Sequence, residues 1–359
     1  MKILDKYILK QYFQTFFFSV LIFIPVICVI DYAEKSEDFV KNKAPWDAIL
    51  FDYFGSFVPF IINALSPIFV FLSTVWVVSR LAARTEVIAM LSSGMSFLRF
   101  MTPFFFGSVL LGCMIFYLVG WAVPITAKRK IAFENQYYKD PFYFDGRNVH
   151  YRVSDSTYVY LESYNNISNT GFKFTLEHIQ NQKLIKKLSA DIIQWDTLKR
   201  KWHLDKYMEY SFDGIQEKLH YGTNLDTVFN LTEKDFQSSY GLEEMLTMNE
   251  LDQYIADLRL RGADNVNMYL NVKYERYAYP FAIIILTMMG VIISARKSRR
   301  GTGYQIAFGV ALAFAFILFV FLSRSVAQAN ANISPLLLAF IPNITFAIIT
   351  LIMYFTVPR

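Results

Sequence analysis

Charge is scarce in this sequence. Asp, Glu, Lys and Arg make up 18% of its 359 residues, where a soluble domain carries about a quarter. Cysteine is scarcer still, with only Cys28 and Cys113. Both sit inside apolar runs, so a disulfide framework is excluded and both are expected to be small buried hydrophobes. The four histidines, His150, His178, His203 and His220, are scattered and form no close ligand pair. No H-E-x-x-H is present, so nothing points to zinc and no metal ligand is assigned. There is no G-x-x-x-x-G-K-[ST] phosphate loop. Gly301-Thr302-Gly303 lacks the lysine, so this chain has no ATP site of that type. No G-x-S-x-G elbow occurs either. The net charge of +5 is not gathered on a soluble face, as nucleic-acid binding would require. The basic residues sit instead at the edges of apolar segments.

What is abundant is apolar and aromatic. Hydrophobic residues make up 54%, with 35 Phe and 23 Tyr, types favoured in and beside a bilayer. Six charge-free stretches are long enough to cross one, which takes about 20 residues. They cover residues 11–30, 53–79, 100–127, 277–295, 301–323 and 325–358. The first lacks a small-residue cleavage pattern and reads as a retained anchor. Prolines 25, 59, 67, 103, 280 and 342 lie inside these stretches. In lipid a proline is tolerated where neighbours satisfy the carbonyl it frees. Arg324, between the last two stretches, is the nearest approach to an intramembrane charge. That scarcity counts against a proton- or ion-coupled carrier.

Lys2, Lys6 and Lys10 precede the first span. Arg80, Arg84 and Arg99 lie between the second and third, and Arg296, Lys297, Arg299 and Arg300 between the fourth and fifth. The link after the first span is mostly acidic. The positive-inside rule then places both termini in the cytoplasm and the large central insert outside.

That insert has short runs of alternating apolar residues at 156–161, 171–179, 184–195, 202–210, 217–221 and 227–231. Turn signals separate them at Asn169-Thr170-Gly171, Asp196-Thr197-Leu198-Lys199 and Asp213-Gly214. This spacing predicts one antiparallel β domain. Phe172, Phe174, Leu176, Trp195, Trp202 and Phe212 are candidates for its interior. Thr247 and Glu250 form a capping box. Leu251, Tyr254, Ile255 and Leu258 follow at helical spacing, with Gly262 as a stop. The expected organisation is residues 1–127 for helices one to three and 128–246 for the β domain. A connecting helix and linker follow over 247–276, then helices four to six over 277–359. The two halves show no similarity of the kind that marks repeat-built transporters.

The link at 80–99 reads R-L-A-A-R-T-E-V-I-A-M-L-S-S-G-M-S-F-L-R. A helix at about 82–98 puts Val87, Met90, Leu91 and Leu98 on one side and leaves Arg84, Glu86 and Ser93 for another surface. Two readings stand for it: docking in a partner's groove, or lying on the membrane surface.

R-T-E-V-I-A-M-L-S-S-G is similar to the S-E-x-x-x-M-x-[AS]-x-G signature of the lipopolysaccharide-export permeases of the LptF/LptG family. Leu4-Asp5-Lys6-Tyr7-Ile8 resembles the family's amino-terminal L-D-R-Y-[IL], and leans toward LptG. Glu250 to Gly262 resembles its E-L-x-x-Y-I-x-x-L-x-x-x-G helix. Arg276 to Phe281 resembles R-x-A-x-P-[LF], and Pro335 and Ile341-Pro342-Asn343 resemble its closing motifs. The likeness runs over essentially the whole chain, in order.

The resemblance implies six membrane helices with an inserted periplasmic β-jellyroll-like domain, in the inner membrane. It implies pairing with a second permease subunit around a lipid cavity. A cytoplasmic ATPase dimer would supply ATP and Mg chemistry, and this chain would bind no cofactor. The β domain would hand lipopolysaccharide to a periplasmic β-jellyroll bridge. Glu86 falls on the coupling-helix glutamate, with Arg84, Met90 and Gly94 shaping that helix. Because the substrate carries phosphates, Lys35, Lys41, Lys43, Lys128, Arg129, Lys130 and Arg276 are headgroup candidates, with snorkelling as the bland alternative. Asp31 stands where some members carry a base. Two other classes compete: a membrane scaffold or sensor reading a ligand with its β domain, and a membrane-embedded enzyme. The enzyme needs convergent polar groups within the spans, which the sequence does not offer.

Overall fold

The computed structural model describes residues 3–138, 142–213, 216–236, 241–261, 263, 265–295, 302–329 and 333–356. Two compact units emerge. One comprises Met1–Lys139, Glu243–Leu251 and Asn267–Arg359; the other comprises Asp140–Leu242 and Asp252–Val266.

The first unit is helical. Among the described residues, six helices are long and apolar enough to cross a membrane. They are α1 (Ile3–Lys41), α2 (Ala48–Ala83), α4 (Phe97–Tyr137), α7 (Val266–Ser294), α8 (Thr302–Ala329) and α9 (Pro335–Thr356). The short α3 (Glu86–Ser92) and α5 (Leu242–Met245) are further helices, and α6 (Met248–Arg261) passes from the first unit to the second after Leu251. Several helices outrun the stretches read from sequence. The 39 residues of α1 extend roughly 58 Å, well beyond a hydrocarbon core of about 30 Å. Its charged ends are therefore still helix.

Apolar side chains cover the outside of this unit as well as its inside. Phe17, Phe18, Leu21, Ile22 and Val29 of α1 are exposed, as suits a helix solvated by lipid. The cysteines follow the same logic: Cys28 is half-buried and Cys113 exposed. The expectation of burial fails because an apolar run in a span faces lipid as often as protein.

Inside, buried serines and threonines turn their hydroxyls back on their own helix. Ser73 Oγ donates to Phe69 O at 2.6 Å and Thr287 Oγ1 to Ile283 O at 2.7 Å. Two of the prolines are answered from neighbouring helices, as lipid demands. Pro67 has no N–H for the Asn63 carbonyl, which accepts instead from Tyr279 Oη at 3.1 Å and Ser66 Oγ at 2.9 Å. Pro342 frees the Leu338 carbonyl, and Ser323 Oγ of α8 donates to it. A wide π turn at Leu118–Ala122 falls where Pro124 leaves Gly120 without a donor.

The second unit carries six antiparallel strands in meander order: β1 (Arg147–Ser154), β2 (Thr157–Asn165), β3 (Thr170–Gln180), β4 (Lys183–Asp196), β5 (Lys201–Asp213) and β6 (Gln216–Thr227). β1 is absent from the alternating runs of the sequence, and 227–231, expected as a strand, instead holds Phe229 and Leu231 as core-covering residues after β6. Trp202 explains this: its ring stacks on Phe229 at 5.8 Å and its Nε1 donates to Leu231 O at 2.7 Å. Gly214 and Gly262 lie outside the described residues.

A crease crosses the sheet. Along β2, β3 and β4, two successive outward residues interrupt the alternation, at 162–163, 172–173 and 191–192. Register pairs these positions across the strands, and the ladders are broken there. Asn148, Lys173 and Asn224 adopt positive φ on the same line. A strand that repeats an outward residue changes which parity faces the core. Phe174, Leu161 and Ala190 thus face inward on one side, and Tyr164, Ile193 and Trp195 on the other. The crease also corrects one expectation: Phe172 falls on it and is exposed.

Candidate functional site

The expected coupling helix at about 82–98 is shorter in the structure. α2 continues to Ala83, Thr85 turns the chain at φ 62°, and α3 spans only Glu86–Ser92. Gly94 then takes φ 90°, a conformation that a side chain disfavours. Ser96 caps α4 by accepting from Arg99 N at 3.3 Å. Val87 and Met90 are buried in the helical core, whereas Leu98 belongs to α4 and is exposed. Met90 therefore anchors α3 from beneath. The open face is formed by Arg84, Ile88, Ala89 and Ser92, with Glu86 at its edge, 30% exposed.

Glu86 is held by a residue the sequence reading left without a role. Tyr7 Oη donates to Glu86 Oε2 at 3.1 Å, while Arg84 Nη1 lies 3.8 Å from Oε1. Beside it, Arg99 Nη2 donates to Asp5 Oδ2 at 2.7 Å. Two motifs about 80 to 95 residues apart thus meet through two polar contacts. An aspartate within an otherwise basic amino-terminal stretch is the sequence signal that points to such a contact.

The basic candidates divide into closed and open groups. Lys35 lies within α1, where it contacts Asp31 at 2.7 Å, donates to Tyr53 Oη and sits over the Tyr53, Phe57 and Tyr138 rings. Tyr53 Oη in turn donates to Asp31 Oδ2 at 2.8 Å. Asp31, a departure from the resembled pattern, is thus the counter-ion of Lys35. Lys130 lies 3.6 Å from Glu134 and 4.3 Å from the Phe60 ring centroid. Lys128 Nζ donates to Glu250 Oε1 at 2.7 Å. Thr247 N donates to Glu250 Oε2 at 2.9 Å and Glu250 N to Thr247 Oγ1 at 3.4 Å, as the capping box predicts. Arg276 is buried and donates to Leu246 O at 2.7 Å and Glu243 O at 2.6 Å. Only Lys41, Lys43 and Arg129 are exposed without an ion pair among the described residues.

Charge is present within the helices long enough to span a membrane. Arg324 is not between two spans but within α8, and it closes on Glu275 of α7, with Nε 3.1 Å from Oε2 and Nη2 also donating to that oxygen. Reading Arg324 as a boundary followed from the cost of a lone charge in lipid; pairing removes that constraint. The pair borders a cavity of about 310 Å³ that Asn63, Glu243, Glu244, Arg276 and Asn343 also line. Burial pushes the Glu244 carboxyl above its ordinary range, partly offset by Lys130. Arg296, Lys297, Arg299, Arg300 and Gly301 lie outside the described residues, as does Lys2.

No curated protein matches this sequence. The model of one family matches residues 6–355, without separating LptF from LptG. The match spans nearly the whole chain, including the amino-terminal segment and α3, which meet through Tyr7 and Glu86: the protein belongs to the lipopolysaccharide export system permeases, LptF/LptG.

Proposed function

We propose that this inner-membrane permease is the transmembrane half of an ATP-driven exporter, with both termini cytoplasmic and the β domain periplasmic. A cytoplasmic ATPase dimer docks on α3 and supplies the ATP and Mg chemistry, while this chain binds no cofactor. A second family subunit pairs with it, and the L-D-K-Y-I motif supports the LptG role for this chain. The observation that carries the reading is the placement of Glu86. It stands at the edge of an open face, fixed by Tyr7 and Arg84 and rooted by buried Val87 and Met90. A carboxylate so held transmits a push on α3 into α1 and α2 without rearranging first.

The open face offers the Arg84–Glu86 pair at its edge, and the apolar Ile88 beside it suits helix-in-groove docking. Lys41, Lys43 and Arg129, open at the other end of the helical unit, are the headgroup contacts the structure favours. Among the described residues β6 pairs with β5 alone, so its free edge supports strand addition to a periplasmic β bridge. The test is Glu86→Ala in the purified complex. Lipid release is expected to uncouple from ATP hydrolysis while membrane insertion stays intact. Wild-type release in that variant, or the absence of any ATPase recovered with this chain, sinks the proposal. The latter result would instead fit a scaffold or sensor.

A further inference from the structure

The cavity beside Glu275 and Arg324 is graded. Along α7, Glu275 and Arg276 come first, and Tyr279 and Ala282 line it deeper. Along α8, Arg324 is followed inward by Val320 and Phe316. Charge thus gathers at one end, Asn63, Tyr279 and Asn343 follow about one turn deeper, and the lining beyond them is apolar, the whole running roughly 10 Å. Its volume of about 310 Å³ lies within the range of ligand pockets, about 300–1,000 Å³. It lies inside one chain. A larger groove of about 990 Å³ runs along α1 past Phe18, Trp76 and Ile306 and shares no residue with it.

The charges at the polar end are only partly paired: Lys130 acts on Glu244, and Glu243 acts on Arg276 and Arg324, without ion-pair contact. Glu275 and Arg324 satisfy each other. Arg276 is held by two carbonyl oxygens, and among the described residues no carboxylate contacts it, Glu243 acting on it only from farther off. Glu243 and Glu244 line the same wall, and among the described residues neither carboxylate makes an ion pair. An anionic headgroup would leave the two carboxylates unanswered; a simple cation would leave Arg276 unanswered. A zwitterion answers both, and an acyl chain suits the apolar depth.

We propose that this cavity binds a zwitterionic aminophospholipid. The ammonium group meets Glu243 and Glu244, the phosphate meets Arg276, and one acyl chain lies along Phe316 and Val320. The binding chemistry does not depend on the orientation proposed above. Such a lipid would fill the gap that the Glu275–Arg324 pair bridges between α7 and α8. An ammonium ion beside Glu244 would also relieve the desolvation that raises its carboxyl.

The test uses the full chain, purified with whatever subunits accompany it, stripped of loosely held lipid and examined by native mass spectrometry. Phosphatidylethanolamine, phosphatidylglycerol and lipopolysaccharide are the probes. Retention of phosphatidylethanolamine over phosphatidylglycerol by about tenfold is expected, the ratio that one charge-assisted hydrogen bond confers. The Glu243→Gln, Glu244→Gln double variant should bring the two to parity. Ala339→Phe, which fills the cavity, should abolish retention of both. Equal retention of the two phospholipids by the unaltered protein overturns the proposal, as does unchanged selectivity in the double variant. Displacement of phosphatidylethanolamine by equimolar lipopolysaccharide also overturns it, by giving the cavity to the exported lipid. No arm requires ATP turnover, so failure here is distinguishable from failure of the coupling role of Glu86.

Discussion

The two ends of the helical unit use charge differently. At the end where α1 begins, polar contacts are few and join segments far apart in sequence: Asp5 to Arg99 and Tyr7 to Glu86. They tie α3 to α1 and leave one acidic edge open. At the opposite end, charges are many and most are closed. Lys35 with Asp31, Lys130 with Glu134, Lys128 with Glu250 and Arg324 with Glu275 neutralise one another. The comparison teaches that a basic cluster in sequence does not equal a basic surface. Of seven headgroup candidates, the fold leaves three exposed and unpaired among the described residues. Lys35 and Lys130 belong to the architecture that holds the end of the bundle together.

The comparison breaks most visibly at Arg324. Arg324→Ala leaves Glu275 buried without its partner and should cost about 2–3 kcal/mol, the lower part of the usual range because Arg324 is itself partly exposed. Thermal unfolding in detergent measures it. Glu275→Gln with Arg324→Met should recover most of the loss. If the double variant is as unstable as the single, the pair does more than neutralise itself.

A smaller loss, about 2 kcal/mol, is expected for Lys35→Met, which strands Asp31 among aromatic rings. Lys41→Ala and Arg129→Ala should stay within about 0.5 kcal/mol of the parent, yet lower lipopolysaccharide photocrosslinking. Equal stability losses at all three positions would erase the division between closed and open bases.

At the other end, Tyr7→Phe removes one hydrogen bond to a carboxylate and should cost about 1 kcal/mol, given its exposure. Hydrogen exchange at α3 should rise, with release per ATP falling several-fold and less than in Glu86→Ala. The smallest effect concerns pH. Lys128, and then the Thr247 N–H, hold the Glu250 carboxyl down to about 2. A depressed carboxyl stabilises fully above its unfolded value and loses that contribution as pH falls from about 4 toward 2. Its exposed setting keeps this to a few tenths of a kcal/mol. Exchange at the start of α6 should accelerate across that window, and Glu250→Gln should flatten the response.

Much of this was legible beforehand, for physical reasons. Lipid demands long apolar runs, so the six spans stand out. The capping box needs only residues three apart, and Thr247 and Glu250 meet as expected. What escaped was set by partners distant in the chain. Arg324 looked like a boundary because its counter-charge sits 49 residues earlier. The extent of α3 was overestimated because periodicity carries through Thr85 and Gly94, whose positive φ no hydrophobic pattern announces. β1 and the crease escaped because a repeated outward residue spoils the alternation by which strands are read.

By itself the sequence determined the solvent: too little charge and too much Phe to be anything but a membrane protein, with one β domain between two sets of three helices. It also carried the family, in motifs each short but kept in order. Only the tertiary structure decided which charges remain free. Coulombic pairing is a matter of a few ångströms in space, and the side chains that pair here lie from two to 122 residues apart. It also bound the L-D-K-Y-I motif to the glutamate of α3, and enclosed a graded cavity between helices that the sequence shows only as separate apolar runs.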